Sequence, residues 1–170
     1  MKYDYKSLYE KNAGFFAKHP TIQSVLQPAS HVLTALFVFA YALLVYKAFY
    51  TPYEVRDLLP ILCAPPLCLT IVTVLRYAVS RPRPYAKNGA NITPLAKKND
   101  SESHSFPSRH VACAFVIATL LLPTATLVGI FLLLLSFALA YIRFALGLHY
   151  PTDLFGGILV GVLCGLWIFF

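Results

Sequence analysis

The sequence predicts an all-α integral membrane protein, a helical bundle of about five transmembrane helices plus an N-terminal interfacial helix. Three observations predict it. Hydrophobic residues make up 58% of the 170 and charged residues only 12%, about half the charged share of an ordinary globular chain. So little polar surface could not cover a soluble core. Apolar runs long enough to cross about 30 Å of hydrocarbon recur along the chain. The sixty residues after His110 carry only two formal charges, Arg143 and Asp153.

The elements follow in order. Residues 1–28 mix aromatic side chains with lysines, as in "YDYKSLYEKNAGFFAKHP", and read as a helix lying in the membrane interface. Residues 31–50 form the first span and 59–79 the second, with a kink expected at the tandem Pro65-Pro66. Residues 80–107 are the one long polar connection, and a loop of that length is functional or unstructured. The third span, 108–122, reaches only about 22 Å at 1.5 Å per residue. Its charged start, Ser108-Arg109-His110, should therefore lie below the membrane surface. Pro123 marks a turn, 125–147 is the fourth span and 152–170 the fifth. In the fifth, Gly157, Gly161 and Gly165 recur at spacing four, for close packing within the bundle or, alternatively, for dimerisation. The whole of 1–170 is read as a single membrane domain.

Four cysteines, Cys63, Cys68, Cys113 and Cys164, sit in apolar runs and read as small core residues. The net charge is +7, and every lysine and arginine but Arg143 precedes position 110, mostly clustered in 2–18, 76–87 and 97–109. That pattern suits an anionic lipid surface or an anionic substrate. Nucleic acid is not an expected partner, because there is no soluble basic domain to bind it.

Alternating spans place the end of the second helix, the polar loop, the start of the third helix and the turn between the fourth and fifth on one side. Arg76, Arg81, Arg83, Ser108, Arg109, His110, Arg143, His149 and Asp153 all fall there. Ionisable groups are expensive inside a bilayer, and convergent ones indicate a site. Asp153 lies four residues after His149, across a proline suited to a helix's first turn. It can accept from one ring nitrogen and leave the other with a lone pair. Alone, such a pair reads first as structural. Several arginines face this one carboxylate, and a guanidinium buried without one needs another anion, which a phosphate ester supplies in matching geometry. Pro107-Ser108 opens a helix whose free N–H groups and dipole favour phosphate oxygens. His110 stands ready to protonate a leaving oxygen.

Three motifs carry a resemblance. Arg76-x6-Arg83-Pro84, Pro107-Ser108-Arg109-His110 and Ile142-Arg143-x5-His149-x3-Asp153 resemble the K-x6-R-P, P-S-G-H and S-R-x5-H-x3-D pattern of the type 2 phosphatidic acid phosphatases. Those membrane lipid phosphate phosphatases share their site with the vanadium haloperoxidases. The resemblance covers the chain from about Leu59 onward. It implies His149 as the nucleophile that takes the phosphoryl group, Asp153 as its orienting group and His110 as the acid. It implies Arg76, Arg83, Arg143 and Ser108 on the phosphate oxygens, with no cofactor and no metal. Arg76 stands where the family has lysine, Ile142 where it has serine, and Arg109 where it has glycine. The side chain of Arg109 would point towards a second phosphate or out to lipid headgroups. His104 reads as solvated or as a substrate contact, and Arg81 as bracing the loop or meeting a headgroup. Tyr77, Tyr85 and Tyr150 read as belt or packing residues, and His19 and His31 as interface residues.

The expected function is an integral membrane phosphatase acting on a lipid phosphate or diphosphate through a phosphohistidine. A polyprenyl diphosphate such as undecaprenyl diphosphate ranks first, then phosphatidic acid and phosphatidylglycerol phosphate. The alternative is a non-catalytic polytopic transporter or scaffold with a phosphate-binding pocket. The expected partners are the lipid substrate and the bilayer, with oligomeric state left open. The resemblance places the protein in the plasma (inner) membrane with its site facing away from the cytoplasm.

Overall fold

The computed structural model describes residues 5–51, 55–96 and 103–170, without the side chains of 55–57. Lys2, Lys97 and Lys98 of the basic clusters lie outside the described residues. Within them the regular structure is entirely helical: α1 (Tyr5–Ala17), α2 (Pro20–Tyr50), α3 (Val55–Val79), α4 (Arg109–Leu121), α5 (Thr126–Ala145), α6 (Pro151–Gly165) and a closing 3₁₀ turn, Leu166–Phe169. Four helical segments are long and apolar enough to cross a membrane: 20–50, 58–79, 126–145 and 151–169. α4 is the shorter fifth. The protein is a multi-pass integral membrane protein of the expected class.

Exposure confirms which solvent the helices meet. Val38, Phe39 and Leu43 on α2, Leu127, Phe131 and Leu134 on α5, and Phe155, Leu159 and Leu163 on α6 are exposed. In water this surface would aggregate, whereas in hydrocarbon it costs nothing. Backbone polar groups are satisfied within the helices, as a bilayer requires.

Helix ends follow local chemistry. Pro20 opens α2, and its fixed φ and missing N–H fit the first helical turn. α2 thus begins eleven residues before the apolar run at 31, because hydropathy reports the solvent and not the helix. α3 passes through Pro60, Pro65 and Pro66 without ending. It stops where Ser80 takes a left-handed φ of 44°, and the chain leaves through Arg81-Pro82 to a turn in which the Ala86 N–H donates to the Arg83 carbonyl at 3.0 Å.

α4 lies at the centre, packed against α6, α5, α3 and α2, with ten of its thirteen residues buried. The α6 glycines let it approach. A Cβ on Gly157 would stand 2.8 Å from the Ser108 carbonyl oxygen, one on Gly165 would stand 2.6 Å from the Thr119 Cβ, and one on Gly161 would overlap the Ala112 carbonyl. The stripe therefore serves packing within the bundle. This contact also sets the distance between the first turns of α4 and α6, where the Ser108 N–H donates to the Asp153 carbonyl at 3.0 Å. Gly161→Ala should destabilise the protein by about 1–3 kcal/mol, because the obstacle is backbone and cannot rotate aside. Gly14→Ala on α1, with nothing near its Cβ, should not. Thermal unfolding in detergent compares them, and equal midpoints would refute the packing argument.

α1 reaches the polar loop. The Tyr9 hydroxyl donates to the Thr93 carbonyl and accepts from the Leu95 N–H, both at 3.1 Å. Gly147, at φ 74°, turns the chain after α5 where a Cβ would press on the Tyr9 ring and Ile92. Tyr5 meets the Tyr150 ring edge-on at 4.7 Å. The N-terminal helix thus clamps the loop and the turn that carries His149.

Candidate active site

Asp153 anchors the site. It is fully buried in the first turn of α6 and accepts three hydrogen bonds. The Tyr150 N–H donates at 2.9 Å, the Ser105 hydroxyl at 2.5 Å and Arg81 Nη1 at 2.9 Å. Arg81 also donates to Thr152 Oγ1 at 2.6 Å, with its guanidinium 4.1 Å above the Tyr150 ring. Of the two expected roles for Arg81, bracing is the one observed: it neutralises the carboxylate that spacing alone assigned wholly to His149.

His149 is buried, and its Nδ1 lies 3.7 Å from Asp153 Oδ2. That is an ion-pair distance, beyond hydrogen-bond reach. Ser105 stands between them, its Oγ at 3.5 Å from Nδ1, the outer edge of a hydrogen bond. A carboxylate can only accept, so the Ser105 proton goes to Asp153 and the Ser105 lone pairs face the ring. This direction favours a proton on Nδ1 and a lone pair on Nε2. Ser105, with no exposed surface, was not singled out from sequence. Its position two residues before Pro107 in a polar loop gave no periodic signal.

Burial pushes the His149 pKa down to about 4 against the pull of Asp153, and Arg143 and Arg83 push it further. The ring is therefore neutral at pH 7. An unfolded histidine titrates near 6.5, so the unfolded chain binds the extra proton first. The stability from the neutral ring is present above pH 6.5 and lost as pH falls towards 4. Arg81→Gln should strengthen the attraction between Asp153 and the ring and move the His149 titration to higher pH. A histidine NMR titration in detergent checks this; an unchanged midpoint would rule out Arg81 as a charge brake on His149.

Facing His149 is an excess of positive charge. Arg76, Arg83 and Arg143 are buried, and Arg83 and Arg143 act on the ring as nearby charges. Arg76 Nη1 donates to the Pro107 carbonyl at 3.1 Å, and Arg143 Nη1 reaches Ser30 Oγ at 3.5 Å. Among the described residues, none of these three pairs with a carboxylate, and neither does Arg109. Arg83 Nε and Nη1, Arg143 Nε and Ser108 Oγ are buried with no hydrogen-bond partner. Such groups cost about 1–3 kcal/mol each when left unmet. Burial holds the Arg83 pKa below its ordinary value, a strain that a bound anion relieves. Ser108 is the N-cap of α4 without spending its hydroxyl on the cap. The first N–H groups of α4 have no intrahelical acceptor.

His110 is accessible on two sides. One is a cavity of about 130 Å³ lined by Arg143, Ser30, His31 and Leu148. The other is a groove of about 270 Å³ lined by Phe37, Val38, Leu69, Ile117 and Leu139. Val38 and Leu69, on its rim, lie on outward faces of α2 and α3. His110 thus divides a cationic chamber from an apolar groove. α2 supplies Ser30 and His31 to that chamber, although sequence placed His31 at the interface. Arg109 lines the groove and a third cavity with Thr73, Arg76, Tyr77 and His104.

Comparison with known proteins identifies the family and the fold. The sequence model of the PAP2 superfamily matches residues 57–170. The chain is 34% identical over 122 residues to a lipid A 4'-phosphatase of Bacteroides thetaiotaomicron, covering 69% of this chain and 52% of that protein. It is 39% identical over 66 residues to the bacitracin transport permease protein BcrC of Bacillus licheniformis, covering 39% of this chain and 32% of that one. The chain thus spans about half the length, or less, of these relatives. The crystal structure of Aquifex aeolicus LpxE superposes with a TM-score of 0.73 at 27% identity, over 96% of this chain and 93% of that one. A PAP2-type phosphatidylglycerolphosphate phosphatase from Bacillus subtilis shares the fold, with a TM-score of 0.70 at 22% identity, over 96% and 83%. With the family pattern matched from residue 57 to the last residue, the chain belongs to the PAP2 superfamily.

Proposed function

We propose that the protein is a membrane-embedded phosphatase that hydrolyses a lipid phosphate or diphosphate through a phosphohistidine. One observation carries this reading: His110 stands between a cavity lined by Arg143, whose Nε is buried without a hydrogen-bond partner, and an apolar groove that opens beside exposed residues of α2 and α3. A phosphate fits the first and its lipid tail the second, which leaves the scissile oxygen at the imidazole.

In this mechanism Arg83, Arg143 and Ser108, with Arg76 and the α4 N–H groups, hold the phosphoryl oxygens and neutralise charge as it develops. His149 Nε2 attacks phosphorus while Ser105 and Asp153 hold the ring through Nδ1. His110 gives its proton to the leaving oxygen, and the alcohol or phosphate product departs along the groove. Water then attacks the phosphohistidine, with His110 taking its proton, and inorganic phosphate is released. The guanidinium groups supply the charge that a divalent ion would bring to such a centre.

Support for the class comes from the family and from relatives named as lipid A and phosphatidylglycerolphosphate phosphatases. A polyprenyl diphosphate, phosphatidic acid and phosphatidylglycerol phosphate are the substrates proposed. The plasma (inner) membrane, with the site away from the cytoplasm, is the proposed location. Labelling of a cysteine placed at the exposed Lys87 by an impermeant reagent in intact cells tests that side.

A transporter needs a polar path through the bundle. Buried Thr119 and Ser136, deep in α4 and α5, instead bond to carbonyls of their own helices. The deciding experiment is phosphate release by purified protein across a lipid panel with chelator present, with and without vanadate. Turnover that persists in chelator and falls with vanadate is expected. Loss of all activity in chelator, restored by magnesium, would overturn the metal-independent mechanism; phosphate binding without release would favour a transporter or scaffold.

A further inference from the structure

Arg109 is an exposed cation on the first turn of α4, and among the described residues no carboxylate pairs with it. It is not a general surface arginine. It lines the apolar groove beside His110, and it also lines a separate cavity of about 130 Å³ with Thr73, Arg76, Tyr77 and His104. Arg76, only 7% exposed, forms the inner wall of that cavity. His104 takes a left-handed φ of 62°, with its Nδ1 2.6 Å from Ser103 Oγ and its ring edge-on to Tyr77 at 4.8 Å. That contact leaves Nε2 as the free ring nitrogen. Two guanidinium groups and an imidazole therefore line a small polar space, where the Thr73 hydroxyl has its proton on the Leu69 carbonyl at 2.7 Å. A phosphoryl group is the ligand such donors fit.

Its position gives it meaning. A lipid tail in the groove and a phosphoryl group in the cavity lined by Arg143 meet at His110, and Arg109 is the next residue along. The atoms just beyond the scissile oxygen, on the lipid side, pass it. We propose that Arg109, Arg76 and His104 form a second anion subsite that holds the phosphate retained by the leaving group, so that the site selects lipid diphosphates over monophosphates. This rests on the phosphatase reading above. His149 Nε2 bonds to the terminal phosphorus, and the bond from that phosphorus to the bridging oxygen breaks. The bridging oxygen takes the His110 proton and leaves on the lipid monophosphate. Arg109 offsets the charge gathering on that departing phosphate. Water then cleaves the phosphohistidine, giving one inorganic phosphate and one lipid monophosphate for each diphosphate.

The test measures kcat/KM for a prenyl diphosphate and for the prenyl monophosphate of the same chain, in the same micelles, with and without added anionic lipid. Arg109→Gln keeps helix propensity and removes the charge together with the guanidinium fork. It should lower the diphosphate-to-monophosphate ratio about ten- to a hundredfold, the scale of one charge-assisted hydrogen bond. Arg109→Lys should restore part of that ratio. His104→Asn, which tolerates the left-handed backbone, should lower it by a smaller factor. An unchanged ratio in Arg109→Gln overturns the subsite. An equal loss on both substrates that tracks anionic-lipid content also overturns it, assigning Arg109 to surrounding headgroups. Wild-type protein that releases phosphate from neither substrate overturns the phosphatase reading itself, a result distinct from an unchanged ratio in active protein.

Discussion

His149→Ala is expected to abolish phosphate release, by about 10⁴-fold or more, the scale on which loss of a covalent nucleophile is felt. The expectation rests on the ring's surroundings. His149 is 2% exposed, so its free nitrogen is shielded from bulk water. Burial and the two nearby arginines keep the ring neutral at pH 7, so the lone pair needs no deprotonation before attack. Forming the phosphohistidine makes the ring positive, and Asp153 balances that charge through Ser105 at 2.5 Å. Asp153→Asn should therefore lower turnover by less than His149→Ala, since asparagine can still accept from Ser105 but cannot balance the charge. Rapid quench without acid should trap a phosphorylated protein in wild type and none in His149→Ala. Residual turnover above a few per cent in His149→Ala would remove this residue from the nucleophile's role.

The motifs were legible because covalent spacing fixes them. His149 and Asp153 flank a proline-opened helix start, and Ser108 and His110 share one turn, so their neighbours follow from sequence. The site's boundary was not legible. Ser105 and Arg81 come from a loop without periodicity, and only the folded path shows Ser105 N–H bonded to the Arg81 carbonyl at 2.8 Å and both side chains on Asp153. The N-terminal third was harder still. Tyr9, Ser30 and His31 lie before the family match begins at residue 57, and hydropathy separated an interfacial stretch from a span where α2 is one helix from Pro20. Yet α2 furnishes part of the chamber and the groove, and α1 holds the loop. Sequence predicted that the α6 glycines pack closely, but their target, the α4 backbone, appears only in three dimensions.

His110→Ala should show a loss that depends on the leaving group. An alkoxide or a lipid phosphate leaving from phosphorus must be protonated as the bond breaks, and a positioned acid contributes about 10²–10⁴-fold to such a step. His110 lies between the arginine chamber and the tail groove, where the bridging oxygen of a bound lipid phosphate falls. A nitrophenyl phosphate releases a stable anion that needs no proton. The variant should therefore lose about 10²–10⁴-fold on a lipid phosphate and far less on the nitrophenyl ester. His110→Gln, which keeps a donor but cannot transfer a proton, separates hydrogen bonding from acid catalysis and should behave like alanine. If both substrates lose activity equally in both variants, His110 holds the phosphate or the helix start and is not the acid. If glutamine restores lipid turnover, a hydrogen bond to the leaving oxygen is enough and no proton is delivered from this ring.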